Sequence, residues 1–152
     1  MFGLLVLALV VSPPHFRAAP GWHVGSRPAH ACPGVPANRC VQASGWASTV
    51  RLRDCGNCVP HKTLAHLRPG GIVIQLSYGR ERPSRAPVGK WPPHIRRRDV
   101  TAGFEGVPNR YGVFQTFVRT GSLERYLFVW FCRARPTRHQ LARANAELRT
   151  VR

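Results

Sequence analysis

The stretch LERYLFVWFCR, Leu123 to Arg133, limits what this chain can fold into more than any other. In an extended backbone Leu127, Val129 and Phe131 project to one side, and Tyr126, Phe128, Trp130 and Cys132 to the other. A strand that is apolar on both faces must be central in a sheet or covered on both sides. Just upstream, RYGVFQTFVR and then TGS supply a partner strand and a turn. The spacing predicts a hairpin of strands near 110–119 and 123–133 with Gly121 in the turn.

Other elements follow from period and punctuation. GIVIQLSYG is rich in β-branched residues between glycines, which predicts an inner strand near 71–78. WASTVRLRD is strand-like near 46–52. Pro60, with Leu64 and Leu67 three apart, predicts a short helix near 60–67 that ends at RPGG. The last segment opens with Thr137 and, three residues on, Gln140, which together form a capping box after Pro136. Leu141, Ala144, Leu148 and Val151 then form one apolar stripe, so a C-terminal helix over 137–150 is expected to lie on the sheet. Strands and two helices without βαβ alternation define an α+β fold with a mostly antiparallel sheet.

The N-terminal end reads differently. Phe2 to Val11 is an unbroken apolar run, followed by the helix-breaking SPPHFRAAPG. Ten residues of helix rise about 15 Å, half of a hydrocarbon core of roughly 30 Å, so the run is too short to span a membrane and resembles a secretory leader or the end of a longer anchor. The organisation expected from sequence is a signal-like or anchor segment over 1–20 and one α+β domain over 21–152. Within that domain the first third, from Ser12 to about Arg39, is rich in Pro, Gly, Ala and His and reads as loop, with a short strand at 21–24.

Charge is the compositional anomaly. The chain carries 23 Lys and Arg against 6 Asp and Glu, a formal net charge of +17, and only Lys62 and Lys90 are lysines. Such a field attracts polyanions: envelope polymers, anionic lipid head groups or nucleic acid. The one tight run, Arg96, Arg97 and Arg98, is the candidate anion-binding patch. Lysine-poor, dispersed arginine is also what G+C-rich codon usage produces, and it differs from the mixed, clustered pattern of nucleic-acid binders.

RDCGNCVPH, Arg53 to His61, is the one stretch with the outline of a reaction centre. Outside the cytoplasm Cys32, Cys40, Cys55 and Cys58 are read first as disulfide partners, in three possible connectivities. A redox reading needs a thiol at a helix N-terminus, and Cys55 and Cys58 do precede Pro60; Asp54 beside them puts a negative charge where a thiolate needs a positive one. A zinc reading would join Cys55, Cys58 and His61 to one of Cys32, Cys40, His30 or His66, but the Cys32–Cys40 spacing is too wide for a second half-site. Cys132, in an apolar strand, is expected to be a small buried hydrophobe.

The remaining chemistry is sparse. Asp54, Glu81, Asp99, Glu105, Glu124 and Glu147 are scattered, and no nucleophile elbow, Walker A or dinucleotide fingerprint occurs. Trp22, Trp46 and Trp91 are stacking candidates whose plainer role is packing under loops. The sequence therefore points to an exported, envelope-associated, non-catalytic domain, with no cofactor or metal, that meets anionic polymer or lipid through arginine. The alternatives are a thiol–disulfide oxidoreductase using Cys55 and Cys58, and a cytoplasmic nucleic-acid-binding protein.

Overall fold

A computed structural model describes residues 10–152. Six strands, β1 (His23–Ala31), β2 (Cys40–Ser48), β3 (Ile72–Glu81), β4 (Thr101–Phe104), β5 (Val107–Thr120) and β6 (Leu123–Phe131), form one antiparallel sheet in the order β1-β2-β3-β6-β5-β4. Two three-stranded meanders thus meet at β3 and β6. The central ladder runs from Ile72 opposite Phe131 to Gly79 opposite Glu124. Two short helices, α1 (His61–Ala65) and α2 (Arg138–Leu148), and a 3-10 turn at Arg97–Asp99 complete the described elements.

The two faces of β6 carry separate clusters. On the first face Leu127, Val129 and Phe131 meet Ile72, Ile74 and Leu76, with Ala144 and Leu148 of α2 and Ile95 of the long β3–β4 connection in the same cluster. On the second face Trp130 meets Val73, Tyr111, Val113 and Leu64 of α1, with Leu52, Val59 and Phe128 packed against them. A side chain of this kind gains roughly 1.5–3 kcal/mol on burial, so a strand with apolar residues on both faces makes the central position far more favourable than an edge.

The hairpin of β5 and β6 closes as its sequence indicates, with Thr120 opposite Leu123 and Gly121 at φ +60°. Thr137 Oγ1 accepts a hydrogen bond from Gln140 N at 3.1 Å, and Gln140 Oε1 accepts one from Thr137 N at 3.0 Å, which sets the start of α2. Helix α1 is shorter than its expected 60–67 span, because Pro60 stands at the N-cap and His66 already leaves the helical turn.

Two expectations need correction, and one strand was not expected. The strand placed near 46–52 lies earlier, at Cys40–Ser48, and residues after Thr49 leave the sheet so that Leu52 can pack on the second face. The loop expected up to Arg39 holds β1, a nine-residue edge strand whose ladder shifts register between Arg27 and His30, around Pro28. Proline inside a strand fits an edge, where its missing N–H leaves no ladder bond unmade. Finally β4, too short to stand out in sequence, pairs with β5.

Residues Phe2 to Leu9 of the apolar run, expected to be part of a signal-like or anchor segment, lie outside the described residues. The rest of the 1–20 segment is integrated into the sheet's cover: Val11 and Phe16 are buried in the first-face cluster. His15 and Arg152 exchange backbone hydrogen bonds at 3.1 and 3.0 Å, and Arg17 N donates to Thr150 Oγ1 at 3.2 Å. Gly45 of β2 is glycine for this contact, since a Cβ there would overlap the carbonyl of Pro14. Among the described residues no helix is long and apolar enough to cross a membrane.

On α2 the buried Glu147 is pushed above the ordinary carboxylate range by desolvation, partly offset by Thr150 and by the charge of Arg143. The folded state therefore holds this proton more tightly than the unfolded chain does, and the stabilisation present at low pH is lost as pH rises through the folded pKa. Glu147→Gln is expected to raise the melting temperature at pH 7, with the difference from wild type shrinking toward pH 4; equal curves at both pH values would contradict this. Phe16→Ala is expected to cost roughly 3 kcal/mol, as an aromatic side chain lost from a core does. An unchanged denaturant midpoint would show that the N-terminal segment lies off the fold.

Candidate functional site

The C-x-x-C loop is held flat against the second face of the sheet by one buried amide and one indole. Gln75 of β3 points out of that face, where its Nε2 donates to the carbonyls of Cys58 at 2.8 Å and Cys55 at 3.3 Å. Its Oε1 accepts from Trp130 Nε1 at 2.9 Å, so both polar atoms of the amide are used. Between the cysteines Gly56 lies against one edge of the Trp46 indole, at Cε3 and Cζ3, and Gly25 of β1 lies against the opposite edge, at Cζ2 and Nε1. A Cβ at either glycine would overlap the indole. Trp46 is thus held between two backbones as a packing group, and Trp22 and Trp91 are likewise half-buried, under Arg143 and beside Arg125 at 5.2 and 5.3 Å from ring centroid to guanidinium.

The cysteines form two pairs at disulfide distance, Cys32 with Cys40 and Cys55 with Cys58, with Cα atoms 5.4 and 5.5 Å apart. The first closes the β1–β2 hairpin, and the second closes the loop before α1. Such pairing is compatible with an extracytoplasmic location. Cys132 is free and only half-buried; it lies just beyond β6, where its sulfur accepts from Gln140 Nε2 at 3.3 Å, so the expectation of a small buried hydrophobe in the strand is corrected.

Asp54 is occupied by α1. Its Oδ2 accepts from Thr63 N and Thr63 Oγ1, both at 2.7 Å, and its Oδ1 from Lys62 N at 3.2 Å. The helix N–H groups that a reactive thiolate would need are therefore bonded to a carboxylate instead. His66 Nδ1 lies 2.7 Å from the Lys62 carbonyl, and His30 Nε2 lies 3.2 Å from Gln42 Nε2. Among the described residues no three His, Cys, Asp or Glu side chains gather where a metal ion could be held.

Arg96, Arg97 and Arg98 are exposed on the β3–β4 connection. Their position is fixed from below: Asn145 of α2 accepts from Ile95 N at 2.8 Å and donates to Ile95 O at 3.0 Å, and Asp99 accepts from Arg96 N at 2.9 Å. The three guanidinium stems therefore leave from an anchored ridge.

Beside the C-x-x-C loop, on the second face, lies a groove that sequence reasoning does not anticipate. Five rings line it in one continuous series: Phe117, Tyr126, Phe128, Trp130 and Phe104, with neighbouring centroids 5.1–6.1 Å apart. The signal was present as the alternation of Tyr126, Phe128 and Trp130, but which side segment 49–67 would leave uncovered is a tertiary matter. Comparison with protein-family models, curated proteins and solved structures found no match for this chain.

Gly56→Ala tests how the loop is seated. Forcing a methyl group against the Trp46 ring should cost about 1–3 kcal/mol, as overpacking does, and should change the near-ultraviolet dichroism of tryptophan. A variant with wild-type stability and spectrum would show that the loop stands off the sheet.

Proposed function

We propose that this chain is an exported, envelope-associated domain without a catalytic centre, stabilised by two cysteine cross-links, whose arginine-rich surface meets anionic polymer or lipid. The observation that carries the reading is the exposure and pairing of Cys55 and Cys58 in a loop that Gln75 and Trp46 hold in place. An exposed pair persists where the surroundings are oxidising and is opened by the thiol buffers of a cytoplasm. By the chain-entropy account, closures of this length contribute about 2 kcal/mol each, a sizeable part of a small domain's stability.

The engagement of Asp54 with α1 favours a structural loop over an activated thiol. For the anionic partner the support is the net charge of +17 and the anchored, exposed run Arg96 to Arg98. Binding of this kind rests on charge and weakens with salt, because the screening length falls from about 10 Å at 0.1 M to about 3 Å at 1 M.

Mapping disulfides by mass spectrometry on protein from its native host should return peptides linked Cys32–Cys40 and Cys55–Cys58. Free thiols at all four positions would defeat the proposal. For the surface, binding to vesicles containing anionic lipid is expected at low salt, to fall steeply by 0.5 M, and to weaken in the triple Arg96→Gln, Arg97→Gln, Arg98→Gln variant. Salt-independent binding, or no binding at low salt, would contradict it; tighter binding to nucleic acid than to vesicles would favour the nucleic-acid alternative.

A further inference from the structure

The groove on the second face has a volume of about 530 Å³, within the range of small-molecule sites. Trp130, 1% exposed, and Gln75 lie at its floor, while Tyr126 is 43% exposed and open to a ligand. Both cysteine pairs border it, through Cys32 and Cys40 at the hairpin end and Cys58 on the loop. Its walls are therefore the segments that the cross-links hold.

Its charge is opposite to that of the whole molecule. Of the 6 acidic residues in the chain, Glu81, Glu105 and Glu124 line the groove, and among the described residues no Lys, Arg or His does, although the chain carries 23 Lys and Arg. Glu124 stands on the same face as the aromatic row, opposite Gly79, with its carboxylate beside that glycine. Glu81 follows two residues beyond Gly79, on the same face of β3. Two like charges placed diagonally across adjacent strands repel each other, which a bound cation relieves. Ser84 Oγ donates to Glu124. Arg119, opposite Glu124 in the ladder, donates through Nη1 to the Gly121 carbonyl at 2.8 Å.

We propose that this groove is a binding site for a small organic cation with an apolar body, its ammonium held over the Tyr126 and Phe128 rings and between the carboxylates of Glu81, Glu105 and Glu124. Aromatic faces attract cations through their quadrupole, most strongly where water is partly excluded, and the carboxylates add charge complementarity. A small ligand is favoured over a basic protein or a second copy, because either would bring a second large positive field against a molecule of net charge +17. The site is separate from the arginine surface and does not depend on what that surface binds.

Titration of the full chain with benzyltrimethylammonium, against its uncharged counterpart dimethyl benzyl carbinol, tests this. The cation is expected to bind roughly tenfold tighter than the carbinol, with amide shifts at Tyr126 to Trp130 and around Glu105. Glu81→Gln with Glu105→Gln, both on exposed residues, should remove most of that preference while leaving carbinol binding and the melting temperature unchanged. Tyr126→Ala should weaken the cation in the same way. The proposal is overturned if the carbinol binds as tightly as the cation, or if the double variant keeps the wild-type preference. It is also overturned if sedimentation shows a dimer whose dissociation is required before the groove can be labelled, which would make a second copy the occupant.

Discussion

The antiparallel ladder between β3 and β6 sets the conditions for everything else in this protein. Ile72, Ile74 and Leu76 face one way with Leu127, Val129 and Phe131, and Val73 faces the other with Trp130; all of these are buried. A ladder that is apolar on both sides is stable only if both sides are covered, and among the described residues there are just two short α-helices with which to do it. On the first face α2 shares the task with the 11–16 segment and the β3–β4 connection. On the second, α1 and the C-x-x-C loop cover one end and leave the aromatic row open at the other.

Cover made of irregular segments brings a polar problem with it, because buried backbone groups outside helices and strands still need partners. Side-chain amides and carboxylates meet that need at fixed points. Asn145 pairs with both backbone groups of Ile95, Gln75 with two carbonyls of the cysteine loop, and Gln140 Nε2 with the Gly71 carbonyl at 3.3 Å. Asp54 does the same for the start of α1, and Tyr111 donates to the Leu64 carbonyl at 3.3 Å near its end. Some of these bonds supply a second partner, since the Gly71 carbonyl also accepts from Cys132 N and the Leu64 carbonyl from Leu67 N; where a buried group has no other partner, losing the bond costs about 1–3 kcal/mol.

What could be read from the sequence was whatever local pattern decides. The two-faced β6, the β-branched β3, the Gly121 turn and the Thr137–Gln140 cap all depend on residues close together in the chain. β2 lies earlier than its local pattern suggests because its small residues, Ala43, Ser44, Gly45 and Ala47, look unlike a strand until their neighbours are known. Gly45 makes way for the Pro14 carbonyl, and an edge of the Trp46 indole lies against Gly25 of the next strand. β1 extends well beyond the short strand expected at 21–24 for a related reason: an exposed edge strand has no apolar face to alternate, and its order comes from pairing with β2 and from the Cys32–Cys40 closure. The cysteines were visible as pairs of interest, but their setting against Gln75, Trp46 and Asp54 depends on contacts that span up to twenty residues or more. The groove was invisible because a row of aromatics on a strand has the same pattern whether a loop covers it or not.

The central claim is that the cysteine pairs secure the cover of the second face while the ladder beneath stands on its own burial. Hydrogen exchange of the backbone amides, followed with and without reductant, tests it most directly. The account predicts that reduction speeds exchange in residues 31–41 and 53–60 while Ile72 to Leu76 and Leu127 to Phe131 remain the slowest amides in the chain. Unchanged protection in the two cysteine segments after complete reduction would contradict it.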